Sequence, residues 1–115
     1  MTITAGPVIY PVKDVEAAKG LFRALLGIEP SVDTAYYVHF TMPDREIGLL
    51  PNGHDQGLVG PIVYYDVADI ESATQSLVDA GATVIVAARD VGAGLLVASV
   101  RDDDGNDIGL RQLPS

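Results

Sequence analysis

Hydrophobic and polar positions along the chain run through the same order twice. Val8-Ile9-Tyr10-Pro11-Val12 is rich in strand formers, and Asp14 follows as a helix N-cap. Val15, Ala18, Phe22 and Leu25 or Leu26 recur at helical spacing, which predicts a helix over 14–26 closed by Gly27. Ile28 to Asp33 is expected to be partly extended, and Ala35 to Thr41 and Glu46 to Leu50 read as strands around a Pro43-Asp44 turn. After a Gly/Pro/Asn-rich stretch the order begins again. Ile62 to Val67 is a strand, Asp69 an N-cap, Ile70, Ala73, Leu77 and Ala80 an apolar stripe, and Gly81 its stop. The run from Leu95 to Val100 and the tripeptide Ile108-Gly109-Leu110 flank a turn of three aspartates, Gly105 and Asn106, a hairpin pattern. The same tripeptide stands earlier as Ile47-Gly48-Leu49.

The spacing from Asp14 to Asp69 nearly equals that from Gly27 to Gly81. We therefore read a single domain, 1–115, of two β-α-β-β-β modules at about 7–51 and 61–113, joined by a linker over 52–60. One such module cannot bury both its helix and its sheet face, so the two are expected to share one α+β fold. Composition narrows the picture. The chain has 48% hydrophobic and 20% charged residues, as in a packed globule, and no cysteine, which excludes disulfides and thiolate chemistry. A net charge of −9 repels phosphate backbones, so no nucleic-acid partner is expected. Apolar runs are too short to span a membrane, and the start lacks signal-peptide character, so a cytoplasmic address is expected.

Strand alternation assigns faces. Val8, Tyr10, Val12, Val38, Phe40, Val63, Tyr65 and Val67 should pack beneath the helices. Ile9, Pro11, Ile62, Tyr64, Asp66, Tyr37, His39, Thr41, Ser99, Arg101 and Arg111 then share the other face. His39 is the candidate general base, or else a hydrogen-bonded structural histidine. Tyr37 and Tyr64 either stack on a ligand or fill space with a wet hydroxyl. Asp66 either draws a cationic ligand or pairs with Arg101 or Arg111. Glu46 and Asp107 precede Gly48 and Gly109 by two residues and share their face, at a cavity mouth or as solvated turn-end carboxylates. Gly92-Ala93-Gly94 lacks the lysine of a phosphate loop, and Ser99 lacks the surroundings of a hydrolase triad.

On the order and doubling of Val12-Lys13-Asp14-Val15-Glu16-Ala17-Ala18, Leu25-Leu26-Gly27, Val67-Ala68-Asp69-Ile70, Ala80-Gly81-Ala82 and Asp104-Gly105-Asn106-Asp107-Ile108-Gly109-Leu110, the chain resembles the vicinal oxygen chelate superfamily. That superfamily includes glyoxalase I, extradiol dioxygenases and bleomycin-resistance proteins. The resemblance covers roughly Val8 to Gln112. It implies two βαβββ modules forming a curled eight-stranded mixed sheet around a cavity, with the helices on the outer face. It also implies a divalent metal, held by side chains at the start of each module's first strand and on its last strand. Carried onto this sequence, those positions are Pro7, Gly48, Ile62 and Gly109, none with a side-chain donor. No metal site and no cofactor are expected. Glycine in place of glutamate should widen the cavity and make its floor apolar.

The expected function is therefore metal-free binding of a small organic molecule, neutral or cationic and aromatic, by a homodimer. The ligand-binding candidates are Tyr37, His39, Gly48, Ile62, Tyr64, Asp66, Ser99, Gly109 and Arg111. The alternatives are a metal-independent lyase or isomerase using His39, Tyr64 or a carboxylate, and a non-catalytic accessory domain.

Overall fold

The computed structural model describes residues 3–115. It is an α+β fold with eight strands of mixed sheet and two α-helices, in the order β-α-β-β-β twice. Two compact units divide it. The first is Pro7–Ile62; the second takes the chain up to Gly6 together with Val63–Ser115. The loop over 52–60 thus belongs with the first unit, and the division falls inside the opening strand. Among the described residues no helix is long and apolar enough to cross a membrane.

In the first unit, β1 (Thr4–Pro11) runs parallel to β4 (Arg45–Leu50), β3 (Val38–Met42) is antiparallel to β4, and the short β2 (Val32–Asp33) lines β3. The helix α1 (Val15–Leu26) starts where the Asp14 carboxylate accepts the Ala17 N–H at 3.1 Å. It stops at Gly27, whose φ of 70° is a left-handed conformation that glycine adopts without Cβ strain. Its apolar stripe, Val15, Ala18, Phe22 and Leu26, covers Val38, Phe40, Ile47 and Leu49. Phe22 lies between Tyr10 and Phe40, with ring centroids 5.0 and 6.3 Å away. Lys19 is buried on the same helix, and its ammonium reaches Asp33 at 3.0 Å and Glu16 at 3.1 Å. A buried lysine is tolerated only with such partners.

The strand expected from Ala35 begins instead at Val38. Thr34 interrupts it: its hydroxyl accepts the N–H groups of Tyr36 and Tyr37, and its own N–H reaches the Tyr37 carbonyl at 3.0 Å. Short side chains of this kind compete with a strand ladder by offering local hydrogen bonds. Tyr36 is left 83% exposed, while Tyr37 turns onto the sheet.

In the second unit, β5 (Ile62–Asp66) runs parallel to β8 (Asp107–Gln112), β7 (Leu96–Arg101) is antiparallel to β8, and β6 (Thr83–Asp90) is antiparallel to β7. The helix α2 (Ile70–Asp79) is capped by Asp69, and the Gln112 side-chain oxygen accepts the Ile70 N–H at 2.8 Å. Ile70 and Ala73 cover Val67, Ala98 and Leu110. A cavity of about 230 Å³ opens on this helix side between Tyr65, Leu77, Ile108 and Ile3; its walls are apolar and offer a ligand no polar handle. β6 continues through Arg89 and Asp90, with register shifts on either side of Val86. The 101–107 hairpin is closed by Asp102, whose carboxylate accepts the N–H groups of Asn106 and Asp104. Those bonds, to Asn106 first, hold its pKa below the usual aspartate value.

Candidate functional site

The sheet face away from each helix carries the polar chemistry, as alternation predicts. The two units furnish it differently.

In the first unit, register places His39 beside Gly48, and Gly48 beside Ile9. Glu46 is the diagonal neighbour of His39 on the same face, and Tyr37 lies two residues before it. The three side chains form a chain of hydrogen bonds. The Tyr37 hydroxyl is 2.7 Å from His39 Nδ1, and His39 Nε2 is 2.9 Å from Glu46 Oε1. With an ionised carboxylate and a neutral ring, Nε2 donates to Glu46 and Nδ1 accepts the Tyr37 hydroxyl hydrogen; with a protonated ring both nitrogens donate. The His39 side chain is 12% exposed and that of Glu46 40%. Glu46 is therefore not the wholly solvated carboxylate that was one expectation for it. The missing side chain of Gly48 makes room for this chain: a Cβ there would run into the Tyr37 hydroxyl and come within 2.6 Å of Ile9 Cδ1.

In the second unit, Tyr64, Gly109 and Ser99 are adjacent across β5, β8 and β7 on one face. A Cβ on Gly109 would meet the Tyr64 ring at 2.6–2.8 Å, so the ring lies directly on the glycine. Burial raises the Tyr64 pKa above its ordinary value, opposed by the charge of nearby Arg89. Ser99 is 2% exposed, and its Oγ has no hydrogen-bond partner among the described residues. Leaving a buried hydroxyl unsatisfied costs roughly 1–3 kcal/mol. Asp66 meets Arg111 in a bidentate pair at 2.6 and 2.9 Å, because parallel register sets the two side by side; Arg101 is taken by Asp107 at 2.6 Å. Of the three alternatives for Asp66, pairing with Arg111 is the one found.

The structure thus brings Tyr37, His39 and Gly48 together in one unit, and Tyr64, Ser99 and Gly109 together in the other. Asp66 and Arg111 neutralise each other. Ile62 is 1% exposed and contributes bulk alone. The widening expected from the two glycines does not occur, because a tyrosine side chain occupies the space beside each. The partnership of His39 with Glu46 was missed from sequence, although strand alternation already put both on one face.

A divalent metal of the kind implied by the resemblance does not fit these residues. Pro7 and Ile62 have no donor atom, and carboxylates at positions 48 and 109 would collide with Tyr37 and Tyr64. Among the described residues no group of three or more His, Asp or Glu side chains is placed to hold a metal ion.

Residues 4–110 match the family model described as Glyoxalase/Bleomycin resistance protein/Dioxygenase superfamily. No curated protein sequence matches the chain. Among solved structures, a glyoxalase/bleomycin resistance protein/dioxygenase superfamily member from Vibrio splendidus 12B01 is similar with a TM-score of 0.71 at 18% identity, covering 97% of this chain and 100% of its own. A structure described as the NAD-dependent benzaldehyde dehydrogenase from Legionella pneumophila gives a TM-score of 0.77 at 15% identity, covering 92% and 96%. Methylmalonyl-CoA epimerase from Mycobacterium tuberculosis gives 0.66 at 17% identity, covering 96% and 87%. At such identities the likeness is one of fold.

Proposed function

Since the chain belongs to the Glyoxalase/Bleomycin resistance protein/Dioxygenase superfamily, we propose that it binds a small organic molecule without a metal, on the sheet face opposite its helices. The ligand is neutral or cationic and aromatic, held rather than transformed. One observation carries this reading: beside both Gly48 and Gly109, the positions the resemblance gives to metal carboxylates, an aromatic side chain takes the space instead. A phenol ring on the sheet face of each unit suits an aromatic ligand. The net charge of −9 favours a neutral or cationic one. The similar structures carry unrelated activities in their descriptions, so fold supplies no reaction.

Thermal melting of EDTA-treated protein with a panel of neutral and cationic aromatic compounds tests the proposal. Binding to the folded state at about a hundred times Kd adds roughly 2.7 kcal/mol of stability and raises Tm. A panel without effect, or an effect that requires added divalent metal, contradicts it.

A second reading, a metal-independent enzyme, is favoured by the Tyr37–His39–Glu46 chain itself. It can pass a proton from the phenol to the imidazole while Glu46 steadies the imidazolium. Turnover that disappears in His39→Ala while binding persists would select the enzyme over the binder.

A further inference from the structure

The two tyrosine-filled spaces are not equivalent, and the difference points to where a ligand enters. In the first unit Tyr37 is tied by its hydroxyl to His39, and His39 to Glu46. In the second unit the Tyr64 hydroxyl has no hydrogen-bond partner among the described residues. Its ring rests against Gly109 by packing alone. On the far side of that glycine, on the same face, stands Ser99 with its buried and unpartnered Oγ.

We infer that the Tyr64 ring is a displaceable plug over Gly109, and that Ser99 anchors the planar aromatic group, bearing a hydroxyl or carbonyl, that takes its place. The proposal rests on the binding reading above and adds which part of the ligand enters, and where. The bare glycine backbone makes a floor flat enough for a ring, as Tyr64 itself demonstrates. Swinging the ring aside breaks no hydrogen bond. It uncovers a hydroxyl that can both donate and accept, so a phenol, an aryl ketone or an aryl amide satisfies it. A wholly apolar ring would fill the space but leave Oγ unsatisfied, and a bulky non-planar group would not pass over the glycine floor. Ser99 is thus a specificity determinant for a ring with a polar substituent.

The test uses 4-methylphenol, the tyrosine side chain as a free molecule, titrated calorimetrically into the full chain. In the wild type it competes with Tyr64. In Tyr64→Ala the competition is gone, and binding is expected to tighten by about tenfold or more, as when a minor open state becomes the only one. Adding Ser99→Ala to Tyr64→Ala should then weaken binding by about two- to tenfold, the effect of one neutral hydrogen bond. No gain on removing the ring, or no loss on removing the hydroxyl, overturns the inference. If Tyr64→Ala does not fold, Tyr64→Leu keeps apolar bulk without the ring and is read the same way. The two readings separate cleanly: aromatic compounds that stabilise wild type, Tyr64→Ala and Ser99→Ala equally would overturn the plug and uphold the binding.

Discussion

The first unit and the second solve the same local problem with different security. Each replaces the side chain that would project from a mid-strand position, Gly48 or Gly109, with a tyrosine from a neighbouring segment. Tyr37 belongs to a hydrogen-bonded chain with His39 and Glu46, whereas Tyr64 is held by packing. Directional bonds fix a ring in one place; dispersion alone tolerates another ring of the same shape. Two copies of one module thus hold their tyrosines differently, one by hydrogen bonds and one by packing.

The largest effect expected comes from giving each glycine a methyl group. Gly48→Ala drives a Cβ into a tyrosine that cannot move without losing its partner, so it should cost about 3 kcal/mol, the upper range for overpacking. Gly109→Ala sets a Cβ 2.7 Å from Tyr64 Cγ, so the whole ring must swing away, but with no hydrogen bond to lose it should cost less, about 2 kcal/mol. Chemical denaturation measures both, and equal costs would dissolve the distinction between the units.

The polar partners give a smaller contrast of opposite sign. His39→Ala strands the Tyr37 hydroxyl and Glu46, so a loss of about 1–2 kcal/mol is expected. Ser99→Ala removes a buried hydroxyl that has no partner among the described residues, which should be neutral or stabilising by up to about 1 kcal/mol. A clear destabilisation by Ser99→Ala would mean that the hydroxyl is satisfied within the free protein.

The smallest effect is alkaline. Burial raises the pKa of Tyr64 in the folded chain, while the unfolded chain ionises near the ordinary value of about 10. The folded state then holds its proton longer, so stability is unaffected below about pH 10 and falls as pH rises above it. Tyr64→Phe should show less of that fall; an unchanged alkaline profile would place the Tyr64 hydroxyl in water.

Much of the fold was legible because it is written twice. Asp14 and Asp69 each cap a helix, and the stripes that follow them each cover one sheet face. Alternation also placed Tyr37, His39 and Glu46 on one side. What it could not supply was register across long connections. That Tyr64 lies beside Gly109, and Asp66 beside Arg111, follows from a parallel pairing of β5 with β8 across more than forty residues of intervening chain. Lys19 was unreadable for a similar reason, since its burial depends on Asp33 in a strand beyond the helix. The unsatisfied state of Ser99 Oγ depends on every neighbour at once, so no local pattern announces it.

The central claim is that one tyrosine yields to a ligand and the other does not. Tyrosine-selective labelling and aromatic NMR during titration with 4-methylphenol address it directly, with Tyr37→Phe and Tyr64→Phe assigning the signals. The Tyr64 ring resonances should move progressively with added 4-methylphenol while those of Tyr37 hold their positions. Movement of Tyr37 alone, or of neither ring at concentrations where binding is seen, would contradict the account.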